Sequence, residues 1–186
     1  MDLNQIDMAM KAYMPKLSES EQERLRFFRT LWGVQAEVQK EHAAKVEHVV
    51  PDADTLKECS NAEQPVLRAY PAGIPADSLA DAAQRLAGAM AAFEQFDLAA
   101  RDTLAGVRWD RLVSASDMSL AGSDPAAYVE AFVGLLQDDG LGEDAARMGG
   151  AVVSLALRAL LEPAAQAVQA ARVAGDADQP YPVLCP

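Results

Sequence analysis

The segment from 151 to 161, Ala-Val-Val-Ser-Leu-Ala-Leu-Arg-Ala-Leu-Leu, is apolar around almost its whole helical circumference. On a helical projection its polar neighbours Arg147, Ser154, Arg158 and Glu162 fall on a single strip. A helix wetted on so thin a strip needs apolar partners on every other side, so this segment is expected at the centre of a helical globule. With Ser154 and Arg158 interrupting it, the run reads as too short and too polar to span a bilayer. The helix is expected to start near Glu143. Pro163 kinks it or starts a successor that ends at Gly175.

Helical spacing also organises the chain that must surround it. Ser18 or Ser20, with Glu21 or Glu23 three residues on, reads as a capping box ahead of a long helix from about 21 to 47. That helix carries Leu25, Phe28 and Trp32 on one stripe and Phe27, Leu31, Val34 and Val38 on the next, and Pro51 closes it. Asp52 or Asp54 can cap a short helix to about Ser60. Pro65, Pro71, Pro75 and Gly73 forbid regular helix over 61–76, so this stretch is expected to be a connection carrying Val66, Leu67, Tyr70 and Ile74. Asp77 or Ser78 is the expected cap of the next helix, with its stripe of Leu79, Ala82, Ala83, Leu86, Met90, Phe93 and Phe96. Gly88 within it suggests a close helix crossing. Two shorter helices are expected over 98–122, broken near Gly106 and ended near Gly122. Asp124-Pro125 opens another, and Asp138-Asp139-Gly140 stops it. With no alternating strand run, no long repeat and no heptads, the expectation is an all-α single globular domain of about seven helices over 1–175. A linker rich in Asp and Pro follows over 176–186.

Charge narrows the partners. The formal net charge is -12, which disfavours nucleic acid and anionic membrane, since both need a basic face. A basic peptide or a neutral protein surface remains compatible. Two cysteines, Cys59 and Cys185, make no disulfide framework and fit a reducing compartment. The N-terminus lacks the basic and apolar regions of a signal peptide. The expected location is therefore intracellular.

No catalytic pattern stands out. His42 and His48 lie on opposite sides of one helix, not at the i, i+4 spacing of a metal pair, and read as surface histidines near a helix end. There is no G-x-S-x-G and no phosphate loop; Gly149-Gly150 reads as a packing feature and Cys59 as a structural thiol. Trp32 lies on the apolar stripe and is expected in the core. Trp109, flanked by Arg108, Asp110 and Arg111, is expected to be exposed. Cys185-Pro186 matches the opening of a C-P-x-C-G metal knuckle, but one thiolate cannot hold a structural metal by itself.

From about Ser20 to Pro186 the chain resembles the helical N-terminal domain of formate dehydrogenase accessory proteins of the FdhE type. The resemblance is carried by Arg24-Leu25-Arg26-Phe27-Phe28-Arg29-Thr30-Leu31-Trp32 with Gln35 and Gln39, and by Gln64-Pro65-Val66-Leu67. Leu155, Leu157, Leu160, Leu161 and Pro163, a polar linker and Cys185-Pro186 complete it. It implies a cytoplasmic accessory protein, not an enzyme, that acts on the formate dehydrogenase catalytic subunit. It also implies that Cys185 is the first ligand of a C-terminal metal-knuckle module missing here. No cofactor is then expected in this chain, whereas iron or zinc would belong to a longer one with CxxC pairs. Arg68 and Tyr70 in the proline-rich connection, and Trp109, are the expected client-binding residues, because connections concentrate binding groups. Two alternatives are a TorD-type chaperone for a molybdoenzyme signal peptide and a helical ligand-binding protein with an internal pocket.

Overall fold

The computed structural model describes residues 3–176, so the linker, Cys185 and the start of the expected knuckle module lie outside the described residues. The fold is all-α. Among the described residues ten α-helices follow in order: α1 (Leu3–Tyr13), α2 (Glu19–His42), α3 (Ala53–Asn61), α4 (Val66–Ala69), α5 (Ala76–Ala91), α6 (Leu98–Ala105), α7 (Trp109–Ala115), α8 (Met118–Ser123), α9 (Pro125–Asp138) and α10 (Glu143–Asp176). The only pairing of β type among the described residues is an isolated bridge between Glu47 and Gly73.

The central position of α10 follows from its composition. Val152, Val153, Ala156, Leu157, Ala159 and Leu160 are buried, while Arg147, Ser154 and Arg158 stay exposed on the strip that the sequence marks. Around it pack α9, α5, α2, α3 and α6. Buried side chains from Leu31 to Leu160 make one cluster. Gly149 and Gly150 bring α10 against α9: a Cβ at either would press on Leu136 or Val133. Pro163 does not end the helix, which runs unbroken to Asp176. At its full length α10 is long and apolar enough to cross a membrane, contrary to the count over 151–161 alone. Its buried face is occupied by neighbouring helices, and a central helix of a globule passes the same test of length and composition.

Several local signals act as expected. Glu21 accepts from the backbone N–H of Ser18 at 2.8 Å at the start of α2. Asp52 caps α3 by accepting from the Thr55 N–H at 2.8 Å, and Asp124 caps α9 through the Ala127 N–H at 3.2 Å. Gly140 takes the positive φ of 97° that ends α9.

Other expectations are corrected. Helix α1 has no counterpart among the helices expected from the sequence; it buries no residue fully and is tied to α2 by the Asp7–Arg29 pair at 2.5 Å. Helix α2 stops at His42 and passes through a 3₁₀ turn, Ala43–Lys45, instead of reaching 47. The proline-rich connection still accommodates one helical turn, α4, between its prolines. Helix α5 begins at Ala76 after Pro75, so neither Asp77 nor Ser78 caps it, and it ends before Phe93 and Phe96. Gly88 marks no close crossing, since a Cβ there would meet nothing within 4 Å. Residues 98–123 hold three helices, because Ser116 and Asp117 break the second stretch.

Candidate functional site

A cleft of about 400 Å³ opens where four separate segments meet. Its walls are His48 and Val49 after the 3₁₀ turn, Pro65–Arg68 at α4, Ser123–Pro125 at the α8–α9 junction, and the outer part of α10 from Leu161 to Gln169. Backbone bonds fix these segments. The Glu47 N–H donates to Gly73 O at 3.0 Å and the Gly73 N–H returns to Glu47 O at 2.7 Å, which closes the loop carrying α3 and α4. The Ala72 N–H then donates to Gly122 O at 3.0 Å and holds that loop on α8.

The cleft is predominantly apolar, through Val66, Leu67, Pro125, Leu161, Ala164 and Val168. Its charged edge is the Arg68–Asp124 ion pair. Asp124 thus serves twice, as the cap of α9 and as the partner of Arg68. The Arg68 guanidinium and the Ala127 N–H hold its carboxyl below the usual aspartate range. Val49 and Val50 beside the cleft remain 64% and 40% exposed. An apolar concavity with few convergent polar groups is the geometry of a binding site.

The expected client-binding residues separate in the structure. Arg68 lines the cleft edge. Tyr70 is half-buried at the end of α4 and does not line it. Trp109 is buried, 1% exposed, stacked on Phe132 at 6.2 Å, and its Nε1 has no hydrogen-bond partner. The expectation that Trp109 is exposed is therefore corrected: its charged neighbours face water while its own side chain turns inward at the first turn of α7. Trp32 is only partly buried and forms a shallow groove with Gln35, Gln39 and Arg158.

A second constellation joins two helices, so spacing along either one does not reveal it. His42 is buried, not on the surface: its Nε2 lies 2.9 Å from Asp81 Oδ2, and its Nδ1 lies 3.1 Å from the hydroxyl of Ser78 on α5. Arg85 donates to Glu41 at 2.7 Å and to Glu37 at 2.8 Å. Burial works against the Arg85 charge, but these carboxylates outweigh it and hold its proton more firmly. The residue types are those of a Ser-His-Asp hydrolase. However, Ser78 is fully buried, so no substrate can reach its hydroxyl in this conformation.

A third, more open groove runs between the start of α6 and the α9–α10 turn. Phe96, Leu141 and Met148 contribute apolar surface, and Asp97, Asp139, Glu143 and Asp144 contribute carboxylates. Asp97 caps α6, Asp139 pairs with Arg111, and Glu143 pairs with Arg147. Comparison with family models, curated proteins and solved structures finds no match for this chain.

Proposed function

We propose that this protein is an accessory factor that holds an apolar segment of a client enzyme in the α4–α9–α10 cleft, and that the client is the catalytic subunit of a formate dehydrogenase. The cleft carries the binding half of this reading. It is apolar, it is assembled from four segments, and the exposed Val49 and Val50 continue it onto the surface. Exposed apolar surface next to a concavity suits a protein partner. The resemblance of 24–32, 64–67 and 155–163 to FdhE-type proteins supports the choice of client. On this reading the chain works by binding in the cytoplasm and catalyses nothing itself.

The acidic groove at Phe96 and Leu141 favours a second reading, a TorD-type role. Apolar surface flanked by carboxylates complements a segment that carries both basic and apolar residues. Capture from cells expressing a formate dehydrogenase separates the two. The first reading predicts recovery of the catalytic subunit, reduced about tenfold or more by Val168→Asp, since a buried carboxylate without a partner is strongly disfavoured. Recovery of a signal peptide that is lost on Asp144→Lys and retained by Val168→Asp would favour the second. Failure of both partners to bind, with heat stabilisation by a small apolar molecule, would replace both with a ligand-binding role.

A further inference from the structure

We infer that Glu41, His42 and Asp81 form a site for a divalent transition-metal ion of the zinc class, bridging α2 and α5. This inference is independent of the cleft and its client. The expectation of no metal in this chain rests on the lone thiolate of Cys185 and on the spacing of two histidines along one helix. The structure instead brings Asp81 of α5 to His42 of α2.

Glu41, His42 and Asp81 each offer one ligand atom, and these atoms all lie within 4.8 Å of one another. Around a tetrahedral zinc ion with bonds of about 2.0–2.1 Å, ligand atoms stand roughly 3.3 Å apart. The 2.9 Å separation of His42 Nε2 and Asp81 Oδ2 must open slightly, and Glu41 must swing in. Both movements are available, because the Glu41 and Asp81 side chains are 57% and 46% exposed. The same exposure leaves coordination positions open to water. One imidazole nitrogen with two carboxylate oxygens is a donor set of intermediate hardness, suited to zinc, cobalt or nickel.

The imidazole already has the support that a ligand needs. Ser78 is fully buried and holds Nδ1 at 3.1 Å. A hydroxyl can donate to Nδ1 or accept from it, so it accommodates either tautomer. As placed, Nε2–H donates to the Asp81 carboxylate; a metal on Nε2 requires the other tautomer, with the proton on Nδ1 donated to Ser78 and Lys45 Nζ turned away. A fixed partner on the second ring nitrogen is the usual companion of a histidine ligand.

Charge points the same way. Glu37, Glu41 and Asp81 meet Arg85, while Lys45 Nζ lies 3.5 Å from His42 Nδ1. Three carboxylates therefore face two cations. Arg85 is the competitor that an incoming ion must displace, since it pairs with Glu41 at 2.7 Å and approaches Asp81 at 3.7 Å. The response to removing Arg85 separates a metal site from an ion-pair network of purely structural purpose.

The test is titration of the full chain with Zn²⁺ by calorimetry, and with Co²⁺ by visible absorption. Glu41→Gln and Asp81→Asn are used because both positions are exposed; His42→Ala is avoided because its side chain is buried. We expect one Zn²⁺ site, weakened about tenfold or more by either substitution. Arg85→Met should tighten it, and Glu37→Gln should not weaken it. Circular dichroism confirms that each variant is folded. Affinity weaker than about 1 mM would overturn the inference. So would binding that survives Glu41→Gln and Asp81→Asn but is lost on Cys185→Ser or His48→Gln. Loss of client capture with this metal site intact would leave the inference standing.

Discussion

Two glycines in helices should respond oppositely to the same substitution. A Cβ on Gly122 would overlap the carbonyl oxygen of Ala72, a residue whose N–H is bonded to Gly122 O. Gly122→Ala should therefore destabilise the fold by about 1–3 kcal/mol, the range for overpacking. Gly88 faces open space inside α5, so Gly88→Ala should stabilise by about 0.5–1 kcal/mol. Thermal denaturation of the two variants measures both signs. Asp124 provides a test of charge. Arg68, and then the Ala127 N–H, lower its pKa in the folded state. The stability this contributes is present above the unfolded aspartate pKa, about 4, and is lost as pH falls through the lower folded value. Asp124→Asn should lower the melting temperature near neutral pH and show a smaller further loss on acidification than the parent chain. At this scale the caps are readable from the sequence, because Glu21, Asp52 and Asp124 each accept from a backbone N–H three residues away. The burial of His42 and Trp109 was not readable. It depends on Ser78 and Asp81 for one and on Phe132 for the other, and local charge gives no hint of those partners.

Among the elements, α10 and α1 mark the two extremes of legibility. An apolar circumference leaves a helix only one place to go, and α10 occupies it. Leu157, 2% exposed, should cost about 2–5 kcal/mol on replacement by alanine. Chemical denaturation checks this, and a loss below about 1 kcal/mol would mean that the middle of the helix is far less tightly packed than its burial indicates. Helix α1 gives the opposite case. Its stripe of Leu3, Ile6 and Met10 is only half-buried, and the Asp7–Arg29 pair ties it to α2, so the stripe alone does not show where the helix packs. The break between α7 and α8 was also hidden. Ser116 turns the chain there with its hydroxyl 2.7 Å from that of Tyr128, a partner on another helix. Pro163 shows the reverse error: proline raises the cost of a helix locally, but burial of Leu160 and Ala164 on either side sustains it.

For the molecule as a whole, the helical class follows from periodicity, whereas the cleft does not. Its lining comes from residues near 48, 66, 124 and 165, each unremarkable in its own segment. Of the three residues expected from the sequence to bind a client, only Arg68 lines it, and that choice rests on the proline-rich connection. The negative charge, by contrast, is legible from composition and reappears as the acidic groove beside Phe96 and Leu141. Hydrogen–deuterium exchange on the chain with and without purified formate dehydrogenase catalytic subunit tests the proposed binding most directly. The cleft reading predicts slowed exchange in Val66–Ala69, in Pro125–Tyr128 and in the α10 segment 161–169, with little change over 96–101 and 139–148. Protection confined to 96–101 and 139–148, or no protection anywhere at saturating subunit, would contradict it.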